Sequence, residues 1–231
     1  MRGLAIAASL AISASVWAAD TVQTRLTKAT EVFSEIMAAP DKGIPQDLLG
    51  KAECVIVIPN MKKGAFIVGG EYGKGFATCR DANHTGWTGP AAMELNGGSV
   101  GFQIGGEEVD LILLVMNRKG VDKLMGDKVT LGADASIAAG PVGRTAAAQT
   151  NARMDAEILS WSRAKGVFAG VSLKGASLRP DKSDTRDLYG KDVTAREVLS
   201  GSVKGSPNMN SLSTAINKFA AAPSSADRSK Q

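Results

Sequence analysis

The run Val109-Asp110-Leu111-Ile112-Leu113-Leu114-Val115-Met116 decides the fold class. It is apolar at almost every position and does not alternate, which is the pattern of a central strand buried on both faces. Upstream lie shorter β-type runs at Cys54 to Ile58, Ala65 to Gly69, Gly75 to Cys79, Ala91 to Leu95 and Ser99 to Ile104. Pro59-Asn60, Asn96-Gly97-Gly98 and Gly105-Gly106 read as the turns between them, and Asn-Gly between apolar runs is a hairpin signal. The chain holds 26 glycines, which favours tight turns and bulges between short strands over long helices.

Downstream, strands are expected at Lys128 to Leu131, Ala133 to Ala138, Thr145 to Thr150, Ile158 to Arg163 and Val167 to Leu178, with a hairpin turn at Lys165-Gly166. Helical spacing of Val22, Leu26, Ala29, Val32, Phe33, Ile36 and Met37 predicts an amphipathic helix that Pro40 stops. Short helices are expected at Pro45 to Leu49, Arg118 to Met125, Thr194 to Leu199 and Ser211 to Ala222, and a turn or short helix at Asp181 to Tyr189. The fold class is therefore α+β to mainly β: a large, mostly antiparallel bent sheet or barrel-like sandwich, with an N-terminal helix and short peripheral helices. One core is expected to serve it.

At the N-terminus, Arg2, the apolar run Leu4 to Val16 and the compact residues around Ala18 read as a secretory signal peptide over residues 1–18. The run is shorter than the roughly 20 residues a membrane-spanning helix needs. The expected layout is this leader, a single domain over 20–222 and a loose tail over 223–231, in a periplasmic or otherwise exported protein. Such a compartment permits a disulfide between Cys54 and Cys79, the two thiols of the chain. Two buried, unbridged thiols are the other reading of the same residues.

A formal net charge of +4 and an aromatic content of 5% argue against nucleic acid as partner. The stretch Gly69-Gly70-Glu71-Tyr72-Gly73-Lys74-Gly75 lacks the order of a phosphate loop and reads as glycine-bent strand. The lone His84 reads as a solvated turn residue, and Glu107, Glu108, Asp181 and Asp184 as surface charge. No nucleophile, metal cluster, cofactor motif or acid-base pair announces itself, so the chain reads as a non-enzymatic binder without cofactor.

Ala52-Glu53-Cys54-Val55-Ile56-Val57-Ile58-Pro59 and Lys63-Gly64-Ala65-Phe66-Ile67-Val68-Gly69-Gly70 resemble the opening of the SYLF domain family. Trp87-Thr88-Gly89-Pro90, the run from Gly98 to Gly106, Asp110 to Met116, Gly132 to Ser136 and Gly166 to Gly175 resemble later blocks of that family in the same order, over residues 25–201. The resemblance implies association with lipids. Eukaryotic members are described as selecting phosphoinositides and, in fungi, as binding actin, partners that an exported chain would not meet.

The candidate lipid-binding residues are Arg25, Lys28 and Phe33 on the N-terminal helix, with Lys62, Lys63, Lys74 and Arg80 in the strand region. The helix has two open readings: its apolar face packs on the sheet, or it lies in a membrane interface. The expected partner is a lipid or anionic membrane surface of the cell envelope, with no transmembrane segment in the mature chain. The alternative is a structural or protein-interaction module of the envelope with no lipid ligand. Oligomeric state is not legible.

Overall fold

The computed structural model describes residues 21–39, 43–140, 156–164, 166–168 and 171–220. Helix α1 (Val22–Ala38) starts where the Thr21 hydroxyl accepts the backbone N–H of Thr24, and it buries Leu26, Ala29, Val32, Phe33 and Ile36 along one stripe. Helix α2 (Gln46–Lys51) leads into strand β1 (Cys54–Cys79), which pairs antiparallel with β2 (Ala91–Val115) from Cys54↔Val115 to Ala77↔Ala91. These strands have 26 and 25 residues. A usual strand has roughly 5 or 6, and a twisted ribbon this long has to curl.

Its curling is visible at three places. The register shifts between Ile58 and Met61 and again between Ala65 and Ile67, as β-bulges do. Asn60 sits in the first shift with φ 48°, and its backbone N–H donates to the Asp110 carboxylate. The ends of β1 then meet: the Arg80 N–H donates to the Glu53 carbonyl at 2.7 Å, and a disulfide joins Cys54 to Cys79. Where the two halves of β1 cross, only glycine fits. A Cβ on Gly75 would stand 2.0 Å from the Val57 carbonyl oxygen, and one on Gly73 would stand 2.6 Å from Ile58 Cγ2.

Strand β2 is the spine of a curled, mixed sheet. Its first part pairs antiparallel with β7 (Ser177–Pro180) and its last part with β5 (Ile158–Ala164). Strand β3 (Val129–Thr130) pairs with β7, β4 (Ile137–Ala139) runs parallel to β5, and β6 (Val167–Phe168) pairs antiparallel with β5. Helices α3 (Arg118–Leu124), α4 (Lys182–Tyr189), α5 (Ala195–Leu199) and α6 (Ser211–Phe219) surround the sheet. The fold is α+β with a dominant, mostly antiparallel sheet and an N-terminal helix, as the sequence predicts.

The non-alternating run is buried on both faces. Leu111, Leu113 and Val115 join Ile56, Ile58, Leu178 and Val198 inside the curl. Ile112 and Leu114 join Leu26, Phe33, Ile36, Leu212 and Ile216 under the helices. The expected single core is thus two cores sharing one sheet.

Other expectations are corrected in detail. Pro59-Asn60, Asn96-Gly97-Gly98 and Gly105-Gly106 are bends inside two continuous strands and not hairpin turns, because cross-strand pairing continues through them. Of the expected strand Val167 to Leu178, residues 167–168 and 177–178 are in strands, Lys174-Gly175 is a turn and 169–170 lie outside the described residues, while residues 132–134 form a turn between the bridged Leu131 and Ala135. The expected strand Thr145 to Thr150, the leader over 1–18 and the tail over 223–231 lie outside the described residues.

Candidate functional site

Helix α1 crosses the bend of the hairpin, and the two enclose an open pocket of about 620 Å³. Thr24, Arg25 and Lys28 come from the first turns of α1, Pro59, Asn60 and Lys62 from the bulge in β1, and Tyr72, Gly73 and Lys74 from its returning half. Glu108 of β2 completes the lining. The pocket exists because β1 doubles back: without the crossing at Gly73 and Gly75, Lys62 and Lys74 would lie far apart on an extended strand.

Two of its four cations are held from behind by α4. Asp181 caps that helix, accepting the backbone N–H of Asp184. The Lys74 ammonium lies 2.6 Å from Asp181 Oδ2 and 3.1 Å from Asp184 Oδ2, and Arg25 pairs with the same Asp184 oxygen. Burial alone would raise the Asp181 pKa, but hydrogen bonds from the Asp184 backbone, Lys74 and Ser183 hold it down at about 2. Burial works against the Lys74 charge as well, and the two aspartates outweigh it, pushing Lys74 up to about 12. Lys74 is therefore a fixed charge, and Arg25 is held beside it by the same Asp184 oxygen. On the rim, Lys28 pairs with Glu31 at 3.2 Å in an exposed geometry worth little. Lys62 stands opposite Glu108 in the strand register and forms no ion pair among the described residues. Tyr72 is 43% exposed beside them.

Of the candidate residues, Arg25, Lys28, Lys62 and Lys74 are brought to this one pocket. Lys63 is the next residue along the strand, opposite Glu107, and does not line it. Phe33 is fully buried against the sheet, with its ring centroid 6.1 Å from that of Phe219, so it offers nothing to a lipid. The apolar stripe of α1 as a whole packs on the sheet, which decides between the two readings of that helix. Arg80 is also inside: it donates to the carbonyls of Gly50 at 2.9 Å and Ala52 at 3.2 Å, and its guanidinium lies 4.6 Å from the Trp87 ring centroid. It closes the end of α2 and does not meet solvent ligands. His84 is in a turn with φ 54°, its Nε2 3.9 Å from Glu53 Oε2.

Sequence reading missed Tyr72, Asn60 and the anchoring role of Asp181 and Asp184. The spacing Asp181-x-Ser183-Asp184 before an amphipathic segment carried a helix-start signal, but nothing in it pointed to Lys74, more than 100 positions away. Glu71 was likewise unforeseen: it is 5% exposed, its pKa is raised by burial, and Lys63 lowers it only in part. Among the described residues no group of three His, Cys, Asp or Glu side chains is placed to hold a metal ion, and no helix is long and apolar enough to cross a membrane.

Residues 96–219 match the family described as Ysc84: Las17-binding protein actin regulator. The chain is 37% identical over 163 residues to an SH3 domain-containing protein of Schizosaccharomyces pombe, covering 69% of this chain and 37% of that protein. It is 31% identical over 198 residues to SH3 domain-containing YSC84-like protein 1 of Rattus norvegicus, covering 84% and 58%. With LAS seventeen-binding protein 3 of Saccharomyces cerevisiae it shares 33% identity over 175 residues, covering 74% and 38%. The chain thus spans less than two thirds of the length of these curated relatives. They also correct the expected location: the relatives are eukaryotic SH3-containing and Las17-binding proteins, not exported periplasmic ones. The match over 96–219, more than half the chain, together with these relatives, shows that the chain belongs to the Ysc84 (SYLF) domain family.

Proposed function

We propose that this chain is a non-enzymatic binding module whose ligand is an anionic lipid surface, met by the face that carries the pocket. One observation carries the reading: Arg25, Lys28, Lys62 and Lys74 converge with an exposed tyrosine on one open concavity. Each cation near an anionic surface contributes on the order of 1 kcal/mol. Because Asp181 and Asp184 already neutralise Lys74 and Arg25, the attraction rests mainly on Lys28 and Lys62 and is weak and salt-sensitive. Co-sedimentation of the full chain with anionic and with neutral vesicles, at low and raised salt, tests this. Pelleting with anionic vesicles that fades with salt supports it, and no pelleting with either kind refutes it.

The description of the family as Las17-binding actin regulators favours a second reading, a protein-interaction module with a partner in the actin-regulating machinery. Such a partner is out of reach only for an exported chain, and the eukaryotic relatives remove that ground. Binding to filamentous actin or to Las17 in the absence of vesicles separates this reading from the first.

A further inference from the structure

The middle of the β1–β2 ribbon has no neighbour in the sheet. Strand β2 pairs with β7 only at Met93–Asn96 and with β5 only from Val109 onward, so among the described residues 97–108 pair with β1 alone. On the other side, residues 62–72 of β1 pair with β2 alone. A two-stranded ribbon is marginal in water, and this one lies beyond the crossing at Gly73 and Gly75 that holds the rest. Its cover is partial: a Cβ on Gly98 or Gly106 would meet nothing within 4 Å and one on Gly70 only the Gly97 carbonyl at 3.7 Å, whereas Gly69 is buried and Glu71 is buried against Gly97.

Its sequence does not suit water. Residues 64–70 read Gly-Ala-Phe-Ile-Val-Gly-Gly and residues 95–106 carry no charge, with Val100, Phe102 and Ile104 among them. The charges stand at its base: the buried Glu71 opposite Gly97, Lys62 and Lys63 opposite Glu108 and Glu107, and Lys74 opposite Glu94, with Arg25 and Lys28 beside them and Tyr72 exposed between. Apolar ribbon, then tyrosine, then cations is the order in which a bilayer presents hydrocarbon, headgroup boundary and phosphate.

We propose that the uncharged part of the ribbon, residues 64–70 and 98–106, enters the hydrocarbon boundary of an anionic bilayer, with the Lys28 and Lys62 rim of the pocket at the level of the lipid phosphates. The inference rests on the lipid-surface reading above and adds the element that penetrates. Open strand edges also suit pairing with a second copy of the chain, which is the competing occupant.

The test uses the full chain, vesicles of phosphatidylcholine with phosphatidylserine, and phosphatidylcholine with brominated acyl chains as a contact quencher. Phe102→Trp adds a reporter to the ribbon, with the native tryptophans as background; Phe66→Asp puts a charge into it. Insertion predicts that brominated chains quench the added tryptophan, and that Phe66→Asp lowers the bound fraction roughly tenfold, the loss expected when one aromatic side chain is no longer buried. If Phe102→Trp pellets without quenching and Phe66→Asp pellets like the parent, the surface reading stands and the ribbon is not the inserting element. A parent chain that pellets with no vesicle sinks both. An oligomer in the parent that Phe66→Asp dissolves without vesicles assigns the ribbon to self-pairing and overturns insertion. Should circular dichroism show Phe66→Asp unfolded, the quenching of Phe102→Trp decides alone.

Discussion

Lys74 of β1 holds its ammonium 2.6 Å from Oδ2 of Asp181, the residue that caps α4. The pair joins the returning half of the hairpin to a helix more than 100 residues later, and it is what keeps one wall of the pocket in place.

The acid limb of stability follows from that pair. Asp181 titrates at about 2 in the folded chain, against 3.8 for the ordinary group. A depressed carboxylate pKa contributes stability that is fully present above the unfolded value and is lost as pH falls from about 4 toward 2. The size is about 2 kcal/mol. At pH 3 about half of it, roughly 1 kcal/mol, is gone, so denaturant melts at pH 6 and pH 3 should show a loss in the parent larger by about that amount than in Asp181→Asn, the other depressed carboxylates contributing equally to both; an equal acid loss in both would remove the pair from the account. On the alkaline side Lys74, raised to about 12, keeps its contribution until pH passes its ordinary 10.5 and loses it toward 12. The two limbs describe one interaction and do not add.

The crossing of β1 over itself predicts a sharp contrast between glycines. In Gly75→Ala the new methyl would stand 2.0 Å from the Val57 carbonyl, a backbone atom that cannot swing away, so the crossing has to open. A loss of about 3 kcal/mol or more in chemical denaturation is expected. Gly98→Ala adds its methyl to open space and should stay within about 0.5 kcal/mol of the parent. Similar losses in both would mean that the halves of β1 do not cross there.

That crossing marks the limit of what the sequence could tell. The run 109–116 announced burial on both faces because apolar residues at consecutive positions leave no face for water. Helix α1 was legible from its stripe. The length of β1 and β2 was not, because Pro59-Asn60 and Asn96-Gly97 have the chemistry of turns, and local chemistry does not distinguish a turn from a bend in a strand whose partner continues to pair. Four of the pocket's residues carried the right type of charge, yet their convergence depends on Gly73 and Gly75 meeting Ile58 and Val57, a long-range event. Arg80 misled for the same reason: a basic residue at a strand end looks solvated until Trp87 and the carbonyls of α2 are seen to enclose it.

Reduction should loosen the curl before it unfolds the chain. The Cys54–Cys79 bridge closes a loop with sequence separation 25, which constrains the unfolded chain by about 3 kcal/mol. The folded ends remain joined by the Arg80 to Glu53 backbone hydrogen bond and by pairing through β2. A reductant should therefore lower the unfolding midpoint while leaving the far-ultraviolet circular dichroism of the native state unchanged at ambient temperature. Complete loss of that signal on reduction would mean that the bridge alone holds the sheet.

Neighbouring lysines on one strand should differ in their effect on vesicle binding, because successive side chains of a strand point to opposite faces. Lys62 lines the pocket and Lys63 does not, although both stand opposite a glutamate of β2. Since Arg25 and Lys74 are already committed to Asp184 and Asp181, Lys28→Glu with Lys62→Glu reverses the two rim charges that the aspartates leave untouched. At roughly 1 kcal/mol per charge this should weaken pelleting with anionic vesicles tenfold or more at low salt, and much less at high salt, where the parent has also lost the attraction. Lys63→Glu should stay within about twofold of the parent. Equal losses from Lys62→Glu and Lys63→Glu would show that vesicles sense the net charge of the chain and not the pocket. A loss confined to Lys63→Glu would move the contact to the opposite face of the ribbon, where Glu71 lies buried within reach of the Lys63 charge.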